Sequence, residues 1–591
     1  MGTQYRQSLW DAGYMLAMLG DECWPIREDS KQDEIELPSL AIKREPGRNH
    51  AREARQRTEF SLYRLEELVR KFQWKVRMTR RRLERINAAI DSREIPSTDG
   101  YAPDYGTVVN DIVHGIIKIP IYIQQIIDTK EFQRLRQVKQ LGMCIYVYPC
   151  SSYSRFEHSI GTFHLASELT KLLRVQLLMD YGDKLCEEIL TENDMKCIEI
   201  AALCHDLGHG CYSHFWEKAF DDSIPTRPHE ELSVEIFKSL LNSSKLCYNR
   251  SIKFEIELDE KSIDLIGRII IGKYNEKIDG KKRYLFEIVA NKESGLDVDK
   301  FDYLCRDQIY FGWSNKNKIH DIKRILHFFR VVNDELNGNW RLAMRDREIF
   351  HIHDIFKTRN LLHRYGYEHK TVKSVECLFK RALKTIVENP EYRDEFIANV
   401  MGNRLDYSSD IWFSRGFINR AVDHHLWDTM SRCTPDIVAR IEERCLLKLF
   451  SRFRVENKLN DVTGNEWRKE LRKDIKSLLS KLSMESLDFS LSTFTLQSEN
   501  KGDPLLSVKF YTKENPRNCF NFNENSLPDL VKLISDETIL MIFSEKSIIS
   551  DPDRICLNEV KDKLCGKLPP DGNDGEISNL LGKYNFREIN Y

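Results

Sequence analysis

Apolar residues recur at three- and four-residue spacing through most of the chain between residues 106 and 455. That period predicts helices at 121–141, 159–180, 192–207, 229–242, 295–309, 320–332 and 347–388. The stretch before them is different. Residues 57–91 carry apolar positions at helical spacing with Arg and Lys between them and predict one or two basic helices. Residues 1–54 mix Pro, Gly and charge without a sustained period and predict a poorly ordered leader. The turn-rich "STDGYAPDYG" at 97–106 ends this region. After 456 the period changes: an amphipathic helix is expected at 464–482, strands at the alternating "LDFSLSTFTL" and "LLSVKFYTK", and a helix at "LPDLVKLIS". The expected architecture is therefore mainly α. It has a leader (1–54), an N-terminal helical segment (55–105), a helical main domain (106–455) and a smaller α+β C-terminal lobe (456–591).

Length and composition narrow this picture. A chain of 591 residues exceeds what one growing core usually supports. With 41% hydrophobic and 31% charged residues, it can bury a large interior. The net charge of -2, from 90 Lys plus Arg against 92 Asp plus Glu, gives no global field toward nucleic acid or anionic lipid, so a polyanion site has to come from local clustering. Fifteen cysteines without a C-x-x-C pair, and a start "MGTQYRQSLW" without a basic-then-apolar plan, predict a reduced compartment, nucleus and/or cytoplasm. No apolar run reaches the ~18 residues of a membrane span.

The chemistry concentrates in one window. Six of the sixteen histidines fall in the 72 residues from His158 to His229, and "CIEIAALCHDLGHGCYSHFWEKAF" sets His205, Asp206, His209, His214 and Glu217 directly after an apolar helical run. The dipeptide His-Asp means little alone, because His320-Asp321 and His353-Asp354 also occur. Any single histidine here is more often a satisfied core or surface residue than a ligand. Downstream, "SGLDVDKFDYLCRD" carries carboxylates at 297, 299, 302 and 307, too many for a buried helix unless some are paired or bind metal. Two imidazoles and two carboxylates, for example His158, His205, Asp206 and Asp299, make a mixed nitrogen and oxygen set that suits Fe, Mn, Zn, Ni or Mg. Ligand type does not choose among them. Such an ion activates water and polarises a phosphoryl oxygen, so phosphoester or phosphoanhydride hydrolysis is the natural class.

"NDIVHG", "FQRLRQVKQLG", "SRFEHSIG", "CHDLGHGCYSH", "LDVDKFDYLCRD" and "TRNLLHRYGYEHK", in that order, resemble the signatures of the HD-domain deoxynucleoside triphosphate triphosphohydrolases, and most closely the animal SAM-and-HD-domain branch. The resemblance runs from about Gly106 to Phe453 and more weakly through "VKFYTKENPRN". It implies an HD-type helical core with His158, His205, Asp206 and Asp299 as ligands of a divalent metal (Fe, Zn or Mn), and Mg with the nucleotide phosphates. It implies hydrolysis of a dNTP to deoxynucleoside and inorganic triphosphate, controlling dNTP pools. His209, His214 and His229 would surround the α-phosphate, with His229 the proton donor and Glu217 and Glu230 in support. Glu217 stands where the family has aspartate, one methylene shorter.

Substrate contacts implied in the same way are Arg155, Lys300 and Arg359 to phosphates, and Gln140 and Asp307 to the 3′-hydroxyl. Tyr303 and Tyr367 would pack against the sugar and exclude a 2′-hydroxyl, with Leu141 and His363 completing the pocket. Glu368 replaces a neutral amide.

The resemblance further implies a homotetramer with two effector sites. A GTP/dGTP site would use Val108, Asp128, Gln133, Arg136, Arg444 and Lys448, although a phosphate-contacting lysine of the family is Thr107 here. A dNTP site would use Asn110, Val147, Tyr148, Arg324, Arg345, Arg347, His351, His369, Lys370 and Lys513, with His351 where asparagine is usual. The ordinary alternative is that these arginines only make ion pairs. No SAM domain is recognisable in residues 1–105. Two other readings compete: a non-catalytic nucleotide sensor, or a nucleic-acid-binding protein whose basic run "RMTRRRLER" contacts RNA or single-stranded DNA. "HDLGHG" in place of "HDxxED" speaks against a guanosine-tetraphosphate hydrolase, and a cyclic-nucleotide phosphodiesterase would not need the triphosphate-contacting cations.

Overall fold

In the computed structural model the described residues are 105–219, 227–243, 258–313, 322–335, 338–401, 420–457, 470–478 apart from 472 and 476, 489–495, 504–523, 538–544, 551–565, 567 and 575–589. The leader, the basic helices at 57–91 and the segment "LPDLVKLIS" lie outside them. The described residues are mainly helical, and no helix among them is long and apolar enough to cross a membrane.

The centre of the molecule is the helix Arg155–Tyr181. A capping box starts it: Ser154 N donates to Glu157 Oε2 at 2.9 Å, satisfying a group that the first turn leaves open. It ends where Gly182 takes φ 78°. Ile160, Phe163, Ala166, Leu169, Leu173 and Leu177 are all buried, and the helix is enclosed on most sides rather than along one stripe, as a core helix should be. It packs against Glu192–Cys204, opened by a second capping box at Thr191 and Asp194, and against Val298–Tyr310, whose N-terminal amides are capped by Asp297. The first and third helices carry His158, Asp299 and Asp302, and His205 and Asp206 directly follow the second; His214 and Glu217 lie on the short helix His214–Ala219, and His229 begins the helix His229–Ser243.

Three small sheets flank the helices. Tyr105–Asp111 and Gly115–Pro120 form an antiparallel hairpin. Phe329–Asp334, Asn339–Arg345 and Lys509–Tyr511 form a second sheet, in which the last strand runs parallel to its neighbour and sets Tyr511 opposite Arg345. The third has four strands in the order Phe489–Thr495, Thr538–Ser544, Lys448–Asn457, Tyr584–Glu588. The strand Lys448–Asn457 runs through residue 455, and residues such as Leu505, Phe510, Met541 and Phe543 join the main core. The main domain and the C-terminal lobe thus share a strand and an interior, and Ile95–Tyr591 is one compact unit.

Three expected helices come out shorter. The 121–141 segment breaks at Thr129, which caps a new turn, and passes into 3-10 geometry at Arg134–Gln137. Among the described residues of 320–332 only Ile322–Leu326 is helical. "FRVVND" is a strand instead, because its β-branched residues pair with Asn339–Arg345. The 347–388 segment divides into Ile349–Leu362, a π turn His363–Tyr367 and Lys370–Glu388. The π turn carries Gly366, where an added Cβ would stand 2.7 Å from the Phe311 ring.

Candidate active site

His158 sits in the first turn of Arg155–Tyr181, His205 and Asp206 follow the last turn of Glu192–Cys204, and Asp299 lies in the first turn of Val298–Tyr310. Convergence of three helix ends brings the four together. His158 Nε2 is 3.0 Å from Asp299 Oδ1 and 3.5 Å from Asp206 Oδ2, and His205 Nε2 is 3.4 Å and 3.5 Å from Asp206 Oδ1 and Asp299 Oδ1. Atoms sharing an ion at about 2.1 Å are separated by roughly this much.

Both rings are oriented from behind. His205 Nδ1 bonds Ala202 O at 2.8 Å and His158 Nδ1 bonds Asp302 Oδ2 at 2.7 Å, so in both Nδ1 is the donor to an acceptor-only oxygen and Nε2 faces the group. His205 Nε2 is buried without a hydrogen-bond partner. Burial disfavours the His158 imidazolium, yet Asp299, Asp302 and Asp206 outweigh it and hold the pKa up to about 10. A buried site that attracts positive charge this strongly, with two imidazole Nε2 atoms and two carboxylates converging, fits a divalent cation that would displace those protons.

Next to it lie three more imidazoles. His209 stacks on His229 with ring centroids 3.9 Å apart, and His214 meets both edge-on. His209 is buried, and burial together with the neighbouring Arg155 and His229 pushes its pKa well below 6.5. His214 has 58% of its side chain open to the cavity, but the surrounding walls still desolvate it and hold its pKa down against Glu217. His229 behaves oppositely. Burial opposes its charge, but Glu217 Oε1, 2.5 Å from Nδ1, and the charges of Glu230 and Asp206 raise its pKa. The longer side chain of Glu217 spans both partners, standing 3.7 Å from His214 Nδ1. Of these three rings, only His229 is poised as a cation.

The group opens into a cavity of ≈ 430 Å³ whose wall includes Gln140, Leu141, Arg155, His209, His214, Lys300, Tyr303, Asp307, Arg359, His363 and Tyr367, every residue expected to contact substrate. Arg155 is buried, with Nη1 2.5 Å from Asp206 Oδ2 and Nε donating to Ser213 Oγ at 2.9 Å, while Nη2 has no partner. Gln140 Oε1 is likewise unpaired. Asp307 accepts from the hydroxyls of Tyr153 and Tyr367; burial pushes its pKa up to about 6 although both bonds favour its charge. Glu368 is buried in the wall, 2.8 Å from Lys373 Nζ, which also reaches Glu376 at 3.0 Å.

The expected effector residues fall in separate places. Asp128, Gln133 and Arg136 lie together on the surface: Arg136 Nε donates to Gln133 Oε1 at 2.8 Å and its guanidinium covers the Phe156 ring at 3.5 Å. Val108 and Asn110 are exposed on the hairpin, Arg444 reaches Tyr146 O at 2.7 Å, and Lys448 starts the strand of the four-stranded sheet. Arg324, Arg347 and His351 gather on Glu348 at 2.7, 3.2 and 2.6 Å, and Arg345 pairs with Asp346 at 2.9 Å. The parallel strand pairing ends two residues before Lys513, opposite Arg345. Val147, Tyr148, His369 and Lys370 form another group, where the Tyr148 and His369 rings are 6.2 Å apart.

Several site residues were not read from the sequence. Tyr153 holds Asp307, Lys373 and Glu376 line the cavity, and Arg306 and His114 stand behind His158 on either side of Asp302, one of the carboxylates the sequence marked as needing a partner. The i,i+4 spacing of Asp302 and Arg306 was the available signal for one of these pairs.

Residues 155–304 match the HD domain family, which sets the class: an HD-domain protein with its histidines and aspartates on converging helix ends. The chain is 30% identical over 470 residues to deoxynucleoside triphosphate triphosphohydrolase SAMHD1 of Homo sapiens, spanning 74% of this chain and 70% of that protein. It is 31% identical over 470 residues to the Bos taurus protein of the same name, spanning 74% and 75%. It is 29% identical over 463 residues to the SAMHD1 homolog of Dictyostelium discoideum, spanning 78% and 81%. The chain belongs to the SAMHD1 family of deoxynucleoside triphosphate triphosphohydrolases.

Proposed function

We propose that this enzyme hydrolyses deoxynucleoside triphosphates to deoxynucleoside and inorganic triphosphate in this cavity, dependent on a divalent metal and controlled by nucleotide effectors in a homotetramer. The observation that carries the reading is the coincidence in one cavity of the four-donor group, the cationic wall and His229, whose pKa Glu217 raises. His158, His205, Asp206 and Asp299 would hold the ion, which supplies an activated water and polarises a phosphoryl oxygen. Arg155, with Nη2 open, and Lys300 and Arg359 neutralise the triphosphate.

As the bond from the α-phosphorus to the 5′ oxygen breaks, His229 gives its proton to that oxygen and Glu217 stabilises the ring's cation beforehand. Neutral His209, stacked beneath, keeps a second positive charge away from the donor. Tyr367, bonded to Asp307, and Tyr303 line the same cavity and would close on the sugar, so that a 2′-hydroxyl would clash there.

Purified protein incubated with dATP or dGTP and Mn or Mg, with and without GTP, is expected to release deoxynucleoside and triphosphate in equal amounts. Binding of nucleotide without turnover would replace the enzyme by a sensor, and release of monophosphate and pyrophosphate would reject the triphosphohydrolase reading. A GTP requirement would support the surface at Asp128, Gln133 and Arg136 as an effector site. Removing the metal with a chelator is expected to stop turnover, and adding back Mn to restore it.

The protonation of His229 sets a pH dependence. Because its pKa is raised, the acid form persists above pH 6.5, and activity is lost as pH rises through the raised value. Glu217→Gln removes the charge that raises it. The alkaline limb of kcat should then move to lower pH, and an unmoved limb would take the proton-donor role from His229.

A further inference from the structure

Behind His158, on the side away from the cavity, lies a buried ionic group with no part in the reaction above. Asp302 is fully buried and each of its oxygens accepts twice: Oδ1 from His114 Nε2 at 2.7 Å and Arg306 Nη2 at 2.8 Å, Oδ2 from His158 Nδ1 at 2.7 Å and Arg306 Nε at 2.9 Å. Arg306, also fully buried, spends its remaining arm on Asp111 Oδ2 at 2.8 Å. Asp111 and His114 flank the turn of the hairpin Tyr105–Asp111 and Gly115–Pro120, and Asp111 Oδ1 caps that turn through the amides of Val113 and His114. The helix makes room for the pair. At Gly161 an added Cβ would stand 1.9 Å from Asp302 Oδ1 and 2.5 Å from Arg306 Nη2.

We infer that Asp302 is a positioning residue that fixes the Nδ1–H tautomer and ring direction of His158, and that His114 and Asp111 tie this device to the hairpin, so that the seating of the hairpin sets how firmly the donor group retains a divalent ion. The physical reason is tautomeric. A neutral imidazole whose Nδ1 donates to a carboxylate presents a bare Nε2 to an ion, and the carboxylate raises the basicity of that nitrogen. Asp302 can serve only while its own two oxygens are held in place, which Arg306 does from one side and His114 from the other. A substitution on the hairpin therefore reaches the donor atoms through two hydrogen bonds from His114 or three from Asp111, without touching the cavity.

The inference rests on the assignment of His158 as a metal donor in the proposed site, and it is tested by metal binding alone. The full chain, stripped of metal, is titrated with Mn2+ and separately with Co2+, whose visible spectrum reports ligand geometry, below its unfolding temperature. In Asp302→Asn the amide can donate toward Nδ1 and drive the proton to Nε2. Mn2+ affinity is expected to fall about 10- to 100-fold and the Co2+ spectrum to change. His114→Ala, one bond further out, and Asp111→Asn, two bonds further out through Arg306, are expected to weaken Mn2+ at least about threefold. A folded Asp302→Asn that binds Mn2+ as the parent does overturns the positioning role. If Asp302→Asn does not fold, unchanged affinity in both hairpin variants overturns it. Weakening by Asp302→Asn alone overturns the link to the hairpin, and a parent chain that binds neither ion overturns the whole inference. Because no turnover is measured, a protein that binds Mn2+ in this way but hydrolyses no dNTP would leave the inference standing and reject only the proposed reaction.

Discussion

Asp206→Ala is expected to lower dNTP hydrolysis about 10,000-fold, equivalent to about 5.5 kcal/mol of lost transition-state stabilisation, and to destabilise the fold at the same time. Its two oxygens face four groups: Arg155 at 2.5 Å, and His158, His205 and His209 at 3.5, 3.4 and 3.3 Å. Burial opposes its charge, but Arg155 and the imidazoles keep the carboxyl well below 3.8, so it is ionised at any working pH. Removing it takes a donor from the ion and leaves the buried Arg155 guanidinium without its counter-ion. A broken buried pair of this kind costs roughly 3–5 kcal/mol. Asp206→Asn keeps the volume and one acceptor oxygen, so its activity should fall comparably while stability falls less. Activity assays and denaturant unfolding of both variants separate the two effects, and Asp206→Ala activity within tenfold of the parent would remove the donor group from the mechanism.

Gly208→Ala should lower kcat about 100-fold with the donor group intact. The glycine of "HDLGHG" is where the loop after His205 touches the helix His229–Ser243. An added Cβ would meet His229 O at 2.1 Å, Ser233 N at 2.7 Å and Leu232 Cβ at 2.8 Å, and the first two are backbone atoms that cannot rotate away. The contact is also bonded. Gly208 N donates to Ser233 Oγ at 2.8 Å, and that hydroxyl donates to His205 O at 2.6 Å. The helix has to move by about 1 Å, which displaces the His229 imidazole from its place over His209, and misplacement of that size costs about 100-fold. Because His229 acts as bonds break, kcat should carry the loss and KM change little. A kcat within threefold of the parent would mean that the position of His229 does not limit the reaction.

The run "LDVDKFDYLCRD" shows how far the sequence carries. Four carboxylates on one helix needed partners or a cation, and each has its reason: Asp297 caps the helix, Asp299 faces His158 and His205, Asp302 pairs with Arg306 and two histidines, and Asp307 accepts from two tyrosines. Which carboxylate takes which role was not legible, because helical spacing gives the face of a residue but not what the fold sets against it. The break at His363–Tyr367 was hidden for a related reason. Its apolar period continues on either side, and what interrupts it is the Phe311 ring closing on Gly366 from another helix. The strand Phe329–Asp334 overlaps the end of the helix expected at 320–332, because its partner Asn339–Arg345 lies across a turn and that partner's other neighbour, Lys509–Tyr511, is more than 160 residues further on.

By itself the sequence determined the helical core, the residue types able to hold a cation and the window that carries them, because apolar period and capping residues act within a few positions. The tertiary structure alone decided which nitrogen of His158 and His205 faces the donor group, that the pKa of His229 is raised while those of His209 and His214 are lowered, and that a hairpin 44 residues before His158 touches the carboxylate behind it. Tautomer and charge are set by desolvation and by the nearest charges in space. Here those neighbours come from chain segments up to 188 residues apart.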